Sequence, residues 1–305
     1  MNQTELLEEI LLLARQAGSA IMGIYEKDFN VEYKADESPV TDADLAAHKV
    51  IVNGLQHLTP DVPILSEESA DISWDIRQTW QRYWLVDPID GTKEFIKKNG
   101  EFTVNIALIE KGKPVLAVVD APALGVSYIA AEAIGAFKDK GDERIELKVT
   151  RKPNKGLIRV VGSRSHPSPD LAEFVKQFED VEMVSKGSSL KLCLVAEGSA
   201  DIYPRLGPTC EWDTGAGHAI AEIAGATVSK LDGSPLLYNR ITMTTVEKAI
   251  ESGYEAQISA LYKALSQGVL AANGDENEIT AAEARFKKGL AFAADIKARA
   301  LAAAE

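Results

Sequence analysis

Cysteine is scarce: two residues in 305, Cys193 and Cys210, exclude a disulfide framework and any cysteine-based metal spacing. A reducing cytoplasm is the economical setting. No run of about 18 apolar residues occurs, so no stretch qualifies as a membrane-spanning helix. No basic-then-apolar leader opens the chain, and export is not expected. Positive charge is also short, with 33 Lys+Arg against 46 Asp+Glu and a net charge of −13. Such a surface repels nucleic acid polymers and anionic membrane, but it leaves room for a small phosphorylated ligand held by a local basic pocket or a metal. Proline stops early: all 12 lie before residue 240, whereas 17 alanines crowd residues 241–305.

What is present reads as two structural grammars followed by a helical tail. Leu6, Leu7, Ile10, Leu11, Ala14, Ala17, Ile21 and Ile24 recur at helical spacing, with Thr4 placed to cap. A short strand at VEYK follows, then a polar loop and a second helix over about 42–58. VPIL and YWLV read as short buried strands that run into acidic residues. From Phe102 to Lys138 strands alternate with Gly and Pro/Gly turns, the pattern of an antiparallel meander. Beyond residue 150 strand and helix alternate: LIRVVGS before a helix from Pro169, VEMVS before one from Ser188, ADIYP before one from Trp212, and ATVSK as a closing strand. The expected fold is a layered α+β and α/β protein: an antiparallel sheet domain over 1–145, a smaller α/β domain over 146–240, and an αα-hairpin over 241–305. In the tail Val246, Ile250, Tyr254, Ile258, Leu261, Leu265 and Val269 form a narrow apolar seam. Thr280 and Glu283 make a capping box for the second tail helix.

The chemistry-bearing stretch is YWLVDPIDGTKEF, residues 83–95. A buried strand there ends on two carboxylates, Asp87 and Asp90. Pro88 fixes φ and removes a donor, so the backbone is expected to turn. Gly91 permits close approach, and Thr92 opens a helix whose first N–H groups are unpaired. Carboxylates and an anion-attracting helix start share one spot, which suits a hard cation lying between the acids and a phosphate. VPILSEES ends a strand at Glu67, and CEWDTGAGHAI sets Asp213 at a helix start, with Gly215 and Gly217 allowing close packing. Singly, each element reads as a turn or a helix cap. Together Glu67, Asp87, Asp90 and Asp213 are expected to form one acidic nest for two or three divalent ions, with Asp44 of VTDAD as a fifth candidate. His48, His57 and His218 read as helix-packing residues, because hard Mg²⁺ prefers oxygen.

SEES, DPIDGTKEF and WDTGAGHAI, in this order, resemble the lithium-sensitive, magnesium-dependent phosphomonoesterases of the inositol monophosphatase superfamily. KADESPVTDADLAAH, GSSLKLCLVAEGSADIYPRLGPTCEWDTGAGHAI and KLDGSPLLYN look most like its bacterial bisphosphate nucleotidases. The resemblance spans roughly residues 1–240. It implies an antiparallel sheet flanked by helices, a smaller α/β part, and a site between them. It implies metal ligands at Glu67, Asp87, the Ile89 carbonyl, Asp90 and Asp213, binding two or three Mg²⁺. An acid–threonine pair, Asp44 and Thr92, would polarise the attacking water. Phosphate would rest on Gly91 and Thr92, and Ser163, His166, Gly187 and Lys191, with Asp213, would meet the nucleotide. The implied reaction removes the 3′-phosphate of adenosine 3′,5′-bisphosphate to give AMP and phosphate, clearing a by-product of sulfate assimilation. The implied location is cytoplasmic or peripheral at the inner membrane.

Two alternatives remain at this level: an inositol or sugar phosphatase, and a non-catalytic metal- or nucleotide-binding scaffold acting through its helical tail, whose partner the sequence does not name. After SPLLYN the family's last strand gives way to ITMTTVEKAIES. Either residues 241–244 substitute for that strand or the hairpin covers the gap, since an unpaired sheet edge is a liability. Met243 is a candidate old start of a fused reading frame.

Overall fold

The computed structural model describes residues 2–27, 31–33, 39–149, 156–164, 169–239 and 245–302. His166, Met243 and the 241–244 segment lie outside the described residues. The chain divides into two compact units, Met1–Arg240 and Ile241–Glu305.

In the first unit, helix α1 (Gln3–Tyr25) and hairpin strands β1 (Val31–Tyr33) and β2 (Pro39–Thr41) lead into α2 (Asp42–Leu58) and β3 (Ile64–Ser66). A short α3 (Trp74–Arg77) precedes β4 (Arg82–Asp90) and the five-residue α4 (Thr92–Ile96). The meander follows as β5 (Thr103–Glu110), β6 (Lys113–Ala121), β7 (Val126–Ala131), β8 (Gly135–Lys140) and β9 (Glu143–Leu147). These strands form a seven-stranded sheet in the order β3-β4-β5-β6-β7-β8-β9, antiparallel throughout except for the parallel β3–β4 pair. The expected meander is therefore present.

Alternation along the strands assigns the two faces. Trp84, Val86, Ile106, Leu108 and Val118 point to one side, where they bury the apolar stripes of α1 and α2. Leu85, Ala107, Ile109, Ala117 and Val119 point to the other. There they pack against α6 (Leu190–Ala196) and α7 (Glu211–Ile223). The smaller part is the parallel pair β10 (Ile158–Ser163) and β11 (Val181–Lys186), with α5 (Pro169–Phe174) between them in the chain. It is tied to the large sheet through Glu101, which accepts from Arg164 at 2.8 and 3.0 Å and from the Gly187 N–H at 2.8 Å.

The sequence expectations fail locally in instructive ways. Asn2, not Thr4, caps α1: its Oδ1 accepts from Glu5 N at 2.9 Å, and its own N–H donates to the Glu5 carboxylate at 3.0 Å. Both candidate caps suit the same first turn, and only the Asn2–Glu5 pair closes reciprocally. ATVSK makes only an isolated bridge, Ser229 to Pro235, and joins no sheet. Pro88 does not turn the chain away; β4 continues to Asp90 with an irregular register.

The second unit consists of α8 (Thr245–Ala271) and α9 (Glu276–Ala302) packed on one another, the expected hairpin. Its contact is made largely by small residues, with Ala272, Ala282 and Ala293 buried. The second helix starts four residues before Thr280, because Asp275 accepts from the N–H groups of Asn277 and Glu278 at 2.9 and 3.3 Å. Among the described residues no helix is long and apolar enough to cross a membrane.

Candidate metal centre

Residues three apart on a regular strand face opposite sides of the sheet. Asp87 pairs with Asn105 and Asp90 with Thr103, so three steps along β4 match two along β5. The extra residue is a β-bulge, placed where Pro88 has no N–H to give to the ladder. The bulge resets the alternation. Asp87 falls on the side of Tyr83 and Leu85, Ile89 drops to the α1/α2 side with Trp84 and Val86, and Asp90 returns to the side of Asp87. Both carboxylates thus face the start of α7, which carries Asp213. Gly215 lets that helix come close; a Cβ there would stand 2.7 Å from Leu85 Cδ2.

Asp87, Asp90 and Asp213 each offer a carboxylate oxygen, and the three atoms lie within 4.8 Å of one another. Asp87 is fully buried, and neither of its oxygens has a hydrogen-bond partner among the described residues. An orphaned buried carboxylate is costly, and two further carboxylates beside it make it costlier. Burial first, then the charges of Glu67, Asp90, Asp213 and Asp44, push the Asp87 carboxyl well above the usual carboxylate range. Burial likewise raises Asp90, against the pull of the Lys191 ammonium. The donor set is all oxygen, and the charge deficit is what a divalent cation removes. These residues fit a metal ion.

Asp213 also closes the N-terminus of α7: its Oδ2 accepts from Thr209 Oγ1 at 2.8 Å and from Cys210 N at 3.0 Å. Gly91 takes a left-handed conformation, φ 92°, as the chain leaves β4. The short helix that follows is anchored by Phe95, fully buried against Phe102 and Tyr25 at ring separations of 5.2 Å each. Burying one such ring is worth about 1.5–3 kcal/mol, which fixes Thr92 beside the acids.

A cavity of about 220 Å³ opens over the carboxylates, lined by Glu67, Asp90, Thr92, Ser163, Lys191 and Asp213 among others. Most of the expected site residues are therefore brought together. Lys191 is buried; its Nζ donates to the Ser188 carbonyl and lies 5.7 Å from the centre of the Tyr203 ring. The Thr92 hydroxyl faces the Ile89 carbonyl at 3.4 Å. Asp44 accepts both the N–H and the hydroxyl of Thr41, at 2.8 and 2.7 Å. Its carboxyl is pushed up to about 6, mainly by burial, with the Thr41 hydrogen bonds opposing and Glu68 and Glu67 adding to the rise. Gly187 spends its N–H on Glu101 and does not line the cavity.

Several lining residues escaped the sequence reading: Ser188, Ser189, Tyr203, Arg205 and Thr209. The stretch IYPRLGPT, polar and proline-broken just before the Asp213 helix, was the available signal. Of the histidines, His48 contacts Ser66 Oγ at 2.9 Å, His218 is buried against Tyr238, and His57 is exposed on the last turn of α2 rather than packed.

Strand ends, bulge and helix start define a layered α/β protein shaped to hold a divalent cation beside a polar cavity. The chain belongs to the inositol monophosphatase family, whose profile matches residues 2–273. The match ends inside the tail, further along than the roughly 240 residues over which the resemblance was read. The chain is 53% identical over 255 residues to the 3′(2′),5′-bisphosphate nucleotidase CysQ of Escherichia coli K12, covering 83% of this chain and 100% of that protein. Among solved structures, CysQ from Bacteroides thetaiotaomicron superposes with a TM-score of 0.68 at 41% identity, covering 78% of this chain and 93% of that one. Inositol monophosphatase from Anabaena gives a TM-score of 0.61 at 27% identity, with coverage of 77% and 88%.

Proposed function

We propose that this chain is a Mg²⁺-dependent phosphomonoesterase that hydrolyses the 3′-phosphate of adenosine 3′,5′-bisphosphate to AMP and phosphate. The observation that carries this reading is Asp87: fully buried, without a hydrogen-bond partner among the described residues, and with a carboxylate oxygen within 4.8 Å of those of two further acids below a polar cavity. The similarity to the CysQ nucleotidases selects the substrate.

Asp87, Asp90, Asp213, Glu67 and the Ile89 carbonyl would hold two or three Mg²⁺. When bound, Mg²⁺ supplies acidity to water and neutralises charge on phosphoryl and leaving-group oxygens. The chain's own groups do the rest. Asp44, its carboxyl near 6, is poised to take the proton of the attacking water at neutral pH. The Thr92 hydroxyl orients that water, and the Gly91 and Thr92 amides receive the phosphate. Asp213 and Ser163 would meet the nucleotide, and the family resemblance adds Gly187 and His166 to that role. Lys191, the buried cation beside Asp90, favours anionic substrate in the cavity. Residues 1–145 would supply the phosphate side and the metal ligands other than Asp213, and 146–240 would supply Asp213 and the substrate side, with Glu101 bonded across to Arg164 and Gly187. The two cysteine thiols, Cys193 buried and Cys210 exposed, suit a reducing cytoplasm.

Phosphate release in Mg²⁺ should be compared for adenosine 3′,5′-bisphosphate, inositol 1-phosphate and fructose 1,6-bisphosphate. The nucleotide is expected to be turned over fastest, and Asp90→Asn should abolish the reaction while the fold persists. Faster hydrolysis of inositol phosphate would refute the substrate assignment and leave the metal chemistry standing. Unchanged hydrolysis by Asp90→Asn would remove the metal centre itself.

A further inference from the structure

From Thr214 of α7, beside the carboxylates, a chain of hydrogen bonds leads to one buried histidine and fixes its state. The Thr214 hydroxyl donates to the Glu211 carbonyl at 3.2 Å, so its oxygen is free to accept, and it receives the Tyr238 hydroxyl at 3.3 Å. Tyr238 has then spent its only proton. Its oxygen stands 2.9 Å from His218 Nδ1, which must therefore be the donor. With the proton on Nδ1, a neutral His218 turns a bare lone pair outward from Nε2.

That nitrogen has no hydrogen-bond partner among the described residues, although His218 is 98% buried, with 2% exposure. Glu222, one turn on along α7, brings Oε2 to 3.3 Å from it without making a hydrogen bond. Burial also pushes the His218 pKa down, against the pull of Glu222, so the neutral ring prevails at neutral pH. Two lone pairs, one on nitrogen and one on an anion, meet at 3.3 Å.

Their separation is that of a chelate. Two donors, each about 2.1 Å from one ion and subtending roughly 90–110° at it, stand roughly 3.0–3.4 Å apart. The pair opens into a cleft of about 240 Å³ lined also by Lys113, Thr227, Ser229 and Pro235, with room for water to complete a coordination shell. The Nδ1–H···O bond to Tyr238 holds the ring in place, as an outer hydrogen bond orients the ring of a metal-bound histidine. We propose that His218 Nε2 and Glu222 Oε2 form a bidentate site for a borderline divalent ion of the Zn²⁺ or Cu²⁺ kind, separate from the Mg²⁺ centre. Nitrogen ligation excludes Mg²⁺ and selects imidazole-binding metals. The site lies three hydrogen-bonded residues from the catalytic cavity, since Thr214 lines that cavity next to Asp213.

The test is a Cu²⁺ titration of the full chain in excess Mg²⁺, followed by electron paramagnetic resonance, with Zn²⁺ as competitor. The carboxylate centre offers only oxygen, so nitrogen coupling reports the new site. One Cu²⁺ with single-nitrogen coupling is expected, displaced by Zn²⁺, with the coupling lost in His218→Gln. Glu222→Gln, at a half-exposed surface position, should fold, keep its Mg²⁺-dependent turnover, and bind Cu²⁺ at least about tenfold more weakly. An unchanged affinity in Glu222→Gln overturns the proposal even if His218→Gln does not fold. Nitrogen coupling that survives in a folded His218→Gln assigns the copper to another histidine and also overturns it.

Discussion

Ser189 Oγ donates to Asn105 Oδ1 at 2.7 Å and stands 2.8 Å from Thr103 Oγ1. With its one proton given to Asn105, it must accept from Thr103. This single hydroxyl joins the two β5 residues that pair with Asp87 and Asp90, and so locks the entry to α6 onto the bulged strand. Ser189→Ala should leave two buried polar groups without a partner and cost about 1–3 kcal/mol. Thermal melts in chelator should show this loss. Ser266→Ala on α8, a partly exposed position whose hydroxyl bonds the Tyr262 carbonyl of its own helix, should stay within about 0.5 kcal/mol of wild type. Equal melting of the two variants would show that the Ser189 bridge holds nothing.

Asp87→Asn should separate stability from metal binding. In metal-free buffer the acid is crowded by Glu67, Asp90 and Asp213, so an uncharged amide of the same shape relieves repulsion. The variant is expected to melt at or above the wild-type temperature without Mg²⁺. Wild type should then gain stability as Mg²⁺ is added, by about 2.7 kcal/mol at a hundredfold excess over the dissociation constant. The variant should gain much less. A full Mg²⁺-induced rise in Asp87→Asn would mean that the ion binds elsewhere.

The acids of this centre were legible in the sequence because each sits at a local boundary: Glu67 after a strand, Asp87 and Asp90 at another, Asp213 at a helix start. The bulge that makes Asp87 and Asp90 face together was not legible, because strand register is set by β5, many residues away. Pro88 marked an irregularity, and its missing N–H fits a bulge as well as a turn. Helix caps failed for a related reason. Thr4 and Thr280 have suitable neighbours, but Asn2 and Asp275 make the bonds, and the choice depends on backbone geometry. The cavity wall of Ser188, Ser189, Tyr203 and Arg205 carries no spacing that a one-dimensional reading could single out. It exists only because α6 and the loop before α7 meet.

Asp44 predicts a pH dependence. Its folded carboxyl titrates near 6, raised by burial, whereas an unfolded aspartate titrates near 3.9. Between those values the folded chain holds a proton that the unfolded chain has released. Metal-free stability from this group is therefore undiminished below about pH 4 and falls as pH rises through 6, by roughly 3 kcal/mol in all. Asp44→Asn keeps an oxygen for Thr41 and removes the titration. Denaturant unfolding in chelator from pH 4 to 7.5 should show the variant gaining on wild type across this window. Parallel curves would place the Asp44 pKa at its ordinary value.

Gly215 predicts what happens when the ligands stay and their spacing changes. A Cβ at this position would stand 2.7 Å from Leu85 Cδ2 and 3.7 Å from the Ala107 Cβ, so α7 lies as close to β4 and β5 as a bare backbone allows. Gly215→Ala asks Leu85 to give way, whereas Gly215→Val adds branches that a close-packed sheet face cannot absorb. Overpacking of this kind costs about 1–3 kcal/mol. Its more specific consequence is geometric. Asp213 is two residues away on the same rigid helix, so lifting α7 widens the gap to Asp87 and Asp90. The valine variant should therefore lose Mg²⁺ affinity and turnover together while every carboxylate remains, and the alanine variant should fall between it and wild type. Calorimetric Mg²⁺ titration of the three proteins measures this directly. A valine variant that is destabilised yet binds Mg²⁺ with wild-type affinity would show that the centre tolerates a wider spacing, and that Gly215 serves packing alone.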